Sequence, residues 1–137
     1  MRTHLYNLQL NIDYTHLHFY KKFLHFLRWS VIHETKEVIG YRSEQNGDIW
    51  LVETSRRDMA GFNQKEANHI LIKVDRKDDI DQLATFLKNL GSDIYFGEPR
   101  LKPELATKAG DIYYQLMFKT KDNILFEVVY RGPADSL

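Results

Sequence analysis

Apolar and polar positions alternate from Leu5 to Ile12, with Leu8, Leu10 and Ile12 on one side and Asn7, Gln9 and Asn11 on the other. A period of two predicts a strand with one core-facing side and one polar side. From about Tyr14 to Trp29 the period lengthens. Leu17, Tyr20, Leu24 and Leu27 fall at i, i+3, i+7 and i+10, and Phe19, Phe23 and Phe26 widen the stripe, which predicts an amphipathic helix. Short strands follow over Val31-Ile32 and Val38 to Tyr41. The Asn46-Gly47 pair then predicts a two-residue hairpin turn into a strand over Asp48 to Glu53. Residues 54–67 are polar, aperiodic and contain Gly61, and are expected to form a linker.

The same order then returns. His69 to Val74 alternates, and Ile80, Leu83, Leu87 and Leu90 repeat the first helix's spacing 63 positions later. That helix is expected over Asp78 to Leu90, with Asp78 or Asp79 near its start and Gly91 just past its end. A short strand over Asp93 to Phe96, a long loop from Gly97 to Gly110, and two strands joined at Lys121-Asp122 complete the pattern over Asp111 to Thr120 and Asn123 to Tyr130. Residues 132–137 have no period and are expected to fray. The expectation is an α+β fold of two βαβββ repeats, about 4–54 and 68–131, within one domain spanning 1–137. A half that cannot close its own core must pair with its copy, and a seam between copies suits a ligand.

Composition narrows the partners. Nineteen basic residues balance nineteen acidic ones with no basic stripe, so no nucleic-acid partner is expected. No apolar stretch approaches a membrane span, and Met1-Arg2-Thr3-His4 does not open a signal peptide. The absence of cysteine excludes disulfides and thiolate zinc sites and fits a reducing, cytoplasmic setting. Eight Phe, eight Tyr and two Trp exceed what two thin sheets and two helices must bury, so apolar surface is expected to remain for a homodimer contact.

A duplicated βαβββ unit, with Phe19-Tyr20 in the first helix, Asn68-His69-Ile70-Leu71-Ile72 opening the second half and Asn123 to Val129 closing it, resembles the vicinal oxygen chelate superfamily. This group includes glyoxalase I, bleomycin-resistance proteins and extradiol dioxygenases. The resemblance covers about residues 5–130 and implies an open barrel of two repeats around a cavity. It also implies a metal site built from a His on each half's first strand and a Glu on each half's last.

Two positions match that implied set, His69 and Glu127. They suit Zn, Ni, Mn or Fe and make these two residues the metal-ligand or acid–base candidates. The first half departs from it. An offset of 62 carries His69 to Asn7, a poor transition-metal ligand, while His4 falls on the opposite face from Asn7. Glu53 aligns with Glu127 at an offset of 74, whereas an offset of 75 puts Val52 there. A weakened metal site including Glu53, or none, is expected. His69 and Glu127 pairing with each other accounts for both without a metal.

Asn7 and Gln9 with Trp50, Tyr113 and Tyr114 are the candidate wall of a substrate cavity, although aromatic strand residues also serve as core. No P-loop, GxGxxG, HExxH or GxSxG motif is present. Two function classes follow for a small-molecule ligand. One is a divalent-metal lyase, isomerase or dioxygenase acting on a small oxygenated substrate. The other is a metal-free protein that binds and sequesters a drug-like molecule.

Overall fold

The computed structural model describes residues 1–3, 5–45, 47–54 and 68–134, with Asn68 described through its backbone alone. The expected linker beyond Thr54, His4 and the last three residues of the tail lie outside the described residues. The chain divides into two compact units, Met1–Asn63 and Gln64–Leu137.

In the first unit, β1 (Asn7–Ile12) leads through a single 3-10 turn (Tyr14–His16) into α1 (Leu17–Phe26). Asp13 opens the turn, its carboxylate accepting from the Thr15 amide and hydroxyl at 2.9 and 2.8 Å. Three strands follow: β2 (Ser30–Glu34), β3 (Val38–Arg42) and β4 (Asp48–Glu53). They form one open sheet in the order β1-β4-β3-β2, with β1 parallel to β4. The helix is shorter than the expected Tyr14 to Trp29 because it closes in a Schellman motif. The Trp29 amide donates to the Leu24 carbonyl and the Arg28 amide to that of His25, with Arg28 at φ 64°.

The second unit repeats this plan. It holds β5 (Asn68–Val74), α2 (Lys77–Asn89), β6 (Asp93–Ile94), β7 (Arg100–Leu101), β8 (Asp111–Lys119) and β9 (Ile124–Pro133). The sheet order is β5-β9-β8-β6, with β5 parallel to β9 and β7 added beside β8. α2 ends in the same Schellman pair, Ser92 to Leu87 and Gly91 to Lys88, with Gly91 at φ 71°. Gly91 lies 63 positions after Arg28, so the repeat extends to the helix caps. Asp78 and Asp79 stand in the first turn of α2, where the helix dipole favours negative charge.

Two expectations need correction. The loop from Gly97 to Gly110 is not irregular throughout, since it contains β7 and a short 3-10 turn at Pro103–Leu105. The β3–β4 connection is not the expected two-residue hairpin, and Asn46 itself lies outside the described residues. The Ser43 amide donates to the Gly47 carbonyl at 2.8 Å and Arg42 sits opposite Asp48, so the loop is longer and Gly47 belongs to its flank. The expected Lys121-Asp122 turn between β8 and β9 forms, with the Asn123 amide bonded to the Thr120 carbonyl and Asn123 at φ 61°, a left-handed position that asparagine tolerates.

Each sheet has one apolar face. In the first unit Leu10, Ile12, Ile39, Tyr41, Ile49 and Leu51 are buried, as are Tyr20, Phe23 and Leu24 of α1. In the second, Ile70, Ile72, Leu116, Phe118, Phe126 and Val128 are buried, as are Ile80, Leu83 and Leu87 of α2. The opposite faces carry the polar residues from which the candidate site is built. No helix among the described residues is long and apolar enough to cross a membrane.

Candidate functional site

On the polar face of the second sheet, period-two geometry aligns His69 of β5, Glu127 of β9, and Tyr113 and Gln115 of β8. The Glu127 carboxylate is buried, and a buried carboxylate is costly unless its oxygens are satisfied. Here both are. Oε2 lies 2.9 Å from Nε2 of His69, and Oε1 accepts the Tyr113 hydroxyl at 3.1 Å. His69 remains 46% exposed at its side chain. Burial first, then the charge of Glu127 and its hydrogen bond, raise the Tyr113 phenol above its ordinary pKa. Tyr113 is therefore held as a neutral donor rather than a phenolate. When Glu127 is ionised, Nε2 of His69 carries the shared proton. In the neutral ring the other nitrogen is then an acceptor, a carboxylate-oriented imidazole suited to accepting a ligand N–H or O–H.

A second polar contact extends the same face. Gln115, also buried, donates through Nε2 to Oε1 of Glu98 at 2.7 Å, and Nε of Arg100 lies 3.4 Å from the same oxygen. Glu98 Oε2 is buried without a hydrogen-bond partner among the described residues. Sequence reasoning missed this pair. The available signal was Gln115 itself, an amide alternating with Tyr113 and Met117 on a strand that is otherwise apolar.

The remaining candidates are dispersed. Tyr114 points to the other face of β8. Its hydroxyl donates to Asp81 of α2 at 2.5 Å, and Lys77 Nζ lies 4.7 Å from its ring centroid. It ties the helix to the sheet, and burial followed by the Asp81 hydrogen bond pushes its phenol far upward.

In the first unit, Asn7 and Gln9 are exposed on the polar face of β1. Strand register settles the Glu53 alignment. Asn7 sits opposite Asp48, and His69 opposite Leu125, so an offset of 62 on the first strand carries an offset of 77 on the last. The counterpart of Glu127 is then Trp50, while Glu53 corresponds to Tyr130. Glu53 pairs with the buried Ile12 and so shares the apolar side of the sheet, opposite to Asn7 and Trp50. The alignment of Glu53 with Glu127 at an offset of 74 is thus replaced. It failed because loop lengths differ between the repeats and only register tracks them.

Solved structures similar to this chain include a protein of Bacillus halodurans assigned as a glyoxalase. It is 19% identical, with a TM-score of 0.74 over 92% of this chain and 94% of that one. The fosfomycin resistance protein FosX from Mesorhizobium loti aligns at 16% identity and TM-score 0.67, covering 98% and 96% of the two chains. FosX from Listeria monocytogenes aligns at 19% and 0.70, covering 98% of each. This chain has the glyoxalase-like fold that these structures share. No family model matches the sequence, and no curated protein does.

Another structure of the Listeria FosX contains Mn(II) and sulfate. The residues of this chain do not fit a comparable resident ion in its second unit. Both oxygens of Glu127 are engaged by His69 and Tyr113, and Tyr113 is held as a phenol. Among the described residues no group of three His, Asp or Glu converges. The register of the glyoxalase-like repeat puts an amide and an indole, Asn7 and Trp50, at the counterparts of His69 and Glu127, and an indole N–H is a donor only.

Proposed function

We propose that this chain is a small-molecule-binding protein of the glyoxalase-like fold that works without a tightly held metal. In this reading the His69–Glu127–Tyr113 cluster is its polar anchor. The observation that carries the reading is the full hydrogen-bond satisfaction of the Glu127 carboxylate by two side chains of its own unit. The cluster presents one exposed imidazole nitrogen, which suits a small oxygenated molecule bearing a hydroxyl or amide donor. Within the first unit, taken by itself, Asn7, Gln9 and Trp50 are the polar and aromatic groups offered to a ligand, while Glu53 and Tyr114 take no part in binding.

A second reading, metal-dependent catalysis, is favoured by the Mn(II) of the Listeria FosX structure. His69 and Glu127 would then supply two of the donors. Elemental analysis of protein purified without chelator separates the readings, together with ligand binding by His69→Ala and Glu127→Gln variants. The first reading predicts no copurifying divalent ion and weakened binding in both variants. Exposed Val31, Ile32, Tyr95, Phe96, Leu101 and Leu105 support a homodimer, which light scattering across concentrations tests. The lack of cysteine supports a cytoplasmic setting.

A further inference from the structure

One row of residues crosses the first sheet in register. Gln9 of β1 lies opposite Trp50 of β4, Trp50 opposite Gly40 of β3, and Gly40 opposite His33 of β2. Paired residues share a face, so the Trp50 side chain runs over β3 toward β2. A Cβ placed on Gly40 would lie 2.9 Å from both carbons of the indole's shared ring bond and 3.0 Å from the next ring carbon. Three near-equal distances mean that the indole is face-on to the strand. One ring face lies on the Gly40 backbone and the other points away from the sheet. Any other residue at position 40 would tip the ring.

The far edge of the indole meets His33, ring centroids 5.3 Å apart at 37°. On the near side Gln9 and Asn11 are exposed and bonded to each other at 3.2 Å, leaving further amide donors and acceptors beside the ring. Trp50 remains half-buried rather than sealed, and its Nε1–H has no partner among the described residues. A half-buried indole lying flat against backbone and bordered by amides and an imidazole is an arrangement on which planar rings stack.

We propose that the Gln9–Trp50–Gly40–His33 row is a stacking platform for a flat conjugated or heteroaromatic ring carrying a carbonyl or amide group. The ring lies on the outer face of Trp50, and the polar substituent bonds the Gln9 and Asn11 amides. This deepens the small-molecule reading above, but it stands on the first unit alone and needs neither His69 nor Glu127.

The test uses the full chain with quinoxaline-2-carboxamide as a flat probe and piperazine-2-carboxamide as its saturated counterpart. Binding is followed by saturation-transfer NMR and by the 15N-indole signal of Trp50 in a Trp29→Phe background, which leaves Trp50 as the one tryptophan. The flat probe should bind saturably and move the indole signal, about tenfold more tightly than the saturated one. Trp50→Phe should retain most of the affinity. Trp50→Leu and Gly40→Ala should each lose roughly tenfold, with thermal unfolding and near-ultraviolet circular dichroism confirming a folded chain. The platform is read at the Trp50 indole signal and the acid–base reading at ligand binding by His69→Ala and Glu127→Gln, so failure of one is separable from failure of the other. Equal binding of the two probes, an unmoved indole signal, or undiminished affinity in Trp50→Leu overturns the proposal.

Discussion

Replacing Tyr113 by Phe removes one oxygen and leaves the ring in place. The lost hydroxyl is one of the two partners of the buried Glu127 carboxylate, bonded at 3.1 Å. Hydrogen bonds to charged groups contribute about 1.5–3 kcal/mol. Tyr113 is half-buried, so the middle of that range, about 2 kcal/mol, is expected. For a chain of this size that lowers the melting temperature by roughly 6–10 °C.

The pH dependence carries the sign. Burial and Glu127 raise the Tyr113 pKa in the folded state above its ordinary value of 10.0. The unfolded chain therefore releases this proton first as pH rises. The stabilisation is fully present below that ordinary value and is lost above it, as pH climbs toward the folded-state pKa. Denaturant melts of the parent and of Tyr113→Phe should differ by a constant amount from near neutrality up to the onset of phenol ionisation, and converge beyond it. A difference under about 0.5 kcal/mol near neutrality, the scale of an ordinary surface substitution, would refute the bond and its role.

Arg28→Gly relieves a left-handed position that Gly91 occupies in the other repeat, and should raise stability by about 0.5–1 kcal/mol in thermal melts. Gly91→Ala should lower it by a similar amount. The Arg42 hydrogen bonds, at 2.8 and 3.0 Å, hold the Asp48 carboxyl below its ordinary pKa. Their stabilisation is present above that ordinary value and lost as pH falls through the lowered one. An Arg42→Ala chain should accordingly be less stable at neutral pH, and its deficit should shrink in acid melts. Tyr14, Tyr41, Tyr113 and Tyr114 are all shifted upward, chiefly by burial, so phenolate absorbance should lag in at least these four of the eight tyrosines until the chain unfolds.

Periodicity located both helices and most strands because burial writes directly onto spacing. Leu10 and Ile72 are buried in matching places, and Tyr20 and Leu24 match Leu83 and Leu87. Helix ends were less legible. Gly91 signals a left-handed cap in the sequence, but Arg28 does the same work with a side chain that carries no such signal. His69 and Glu127 could be picked out by their residue types, and so could the possibility that they bond each other. Their link to Tyr113 could not be, since it depends on side-chain reach across strands. The misalignment of Glu53 has the same origin. Identity along a strand does not fix which residue faces which, whereas the ladder from Asn7–Asp48 to Ile12–Glu53 does, and it puts Trp50 where the second repeat has Glu127. Glycine at position 40 acquires its meaning from that ladder as well.

The central claim is that Glu127 is satisfied by protein side chains and not by a resident ion. Elemental analysis of the full chain, purified without chelator and repeated after incubation with Mn(II) and Zn(II) followed by desalting, tests it most directly. The account predicts only trace divalent metal in both samples and no rise in melting temperature with either ion. A stoichiometric ion that survives desalting and is lost in both His69→Ala and Glu127→Gln would contradict it.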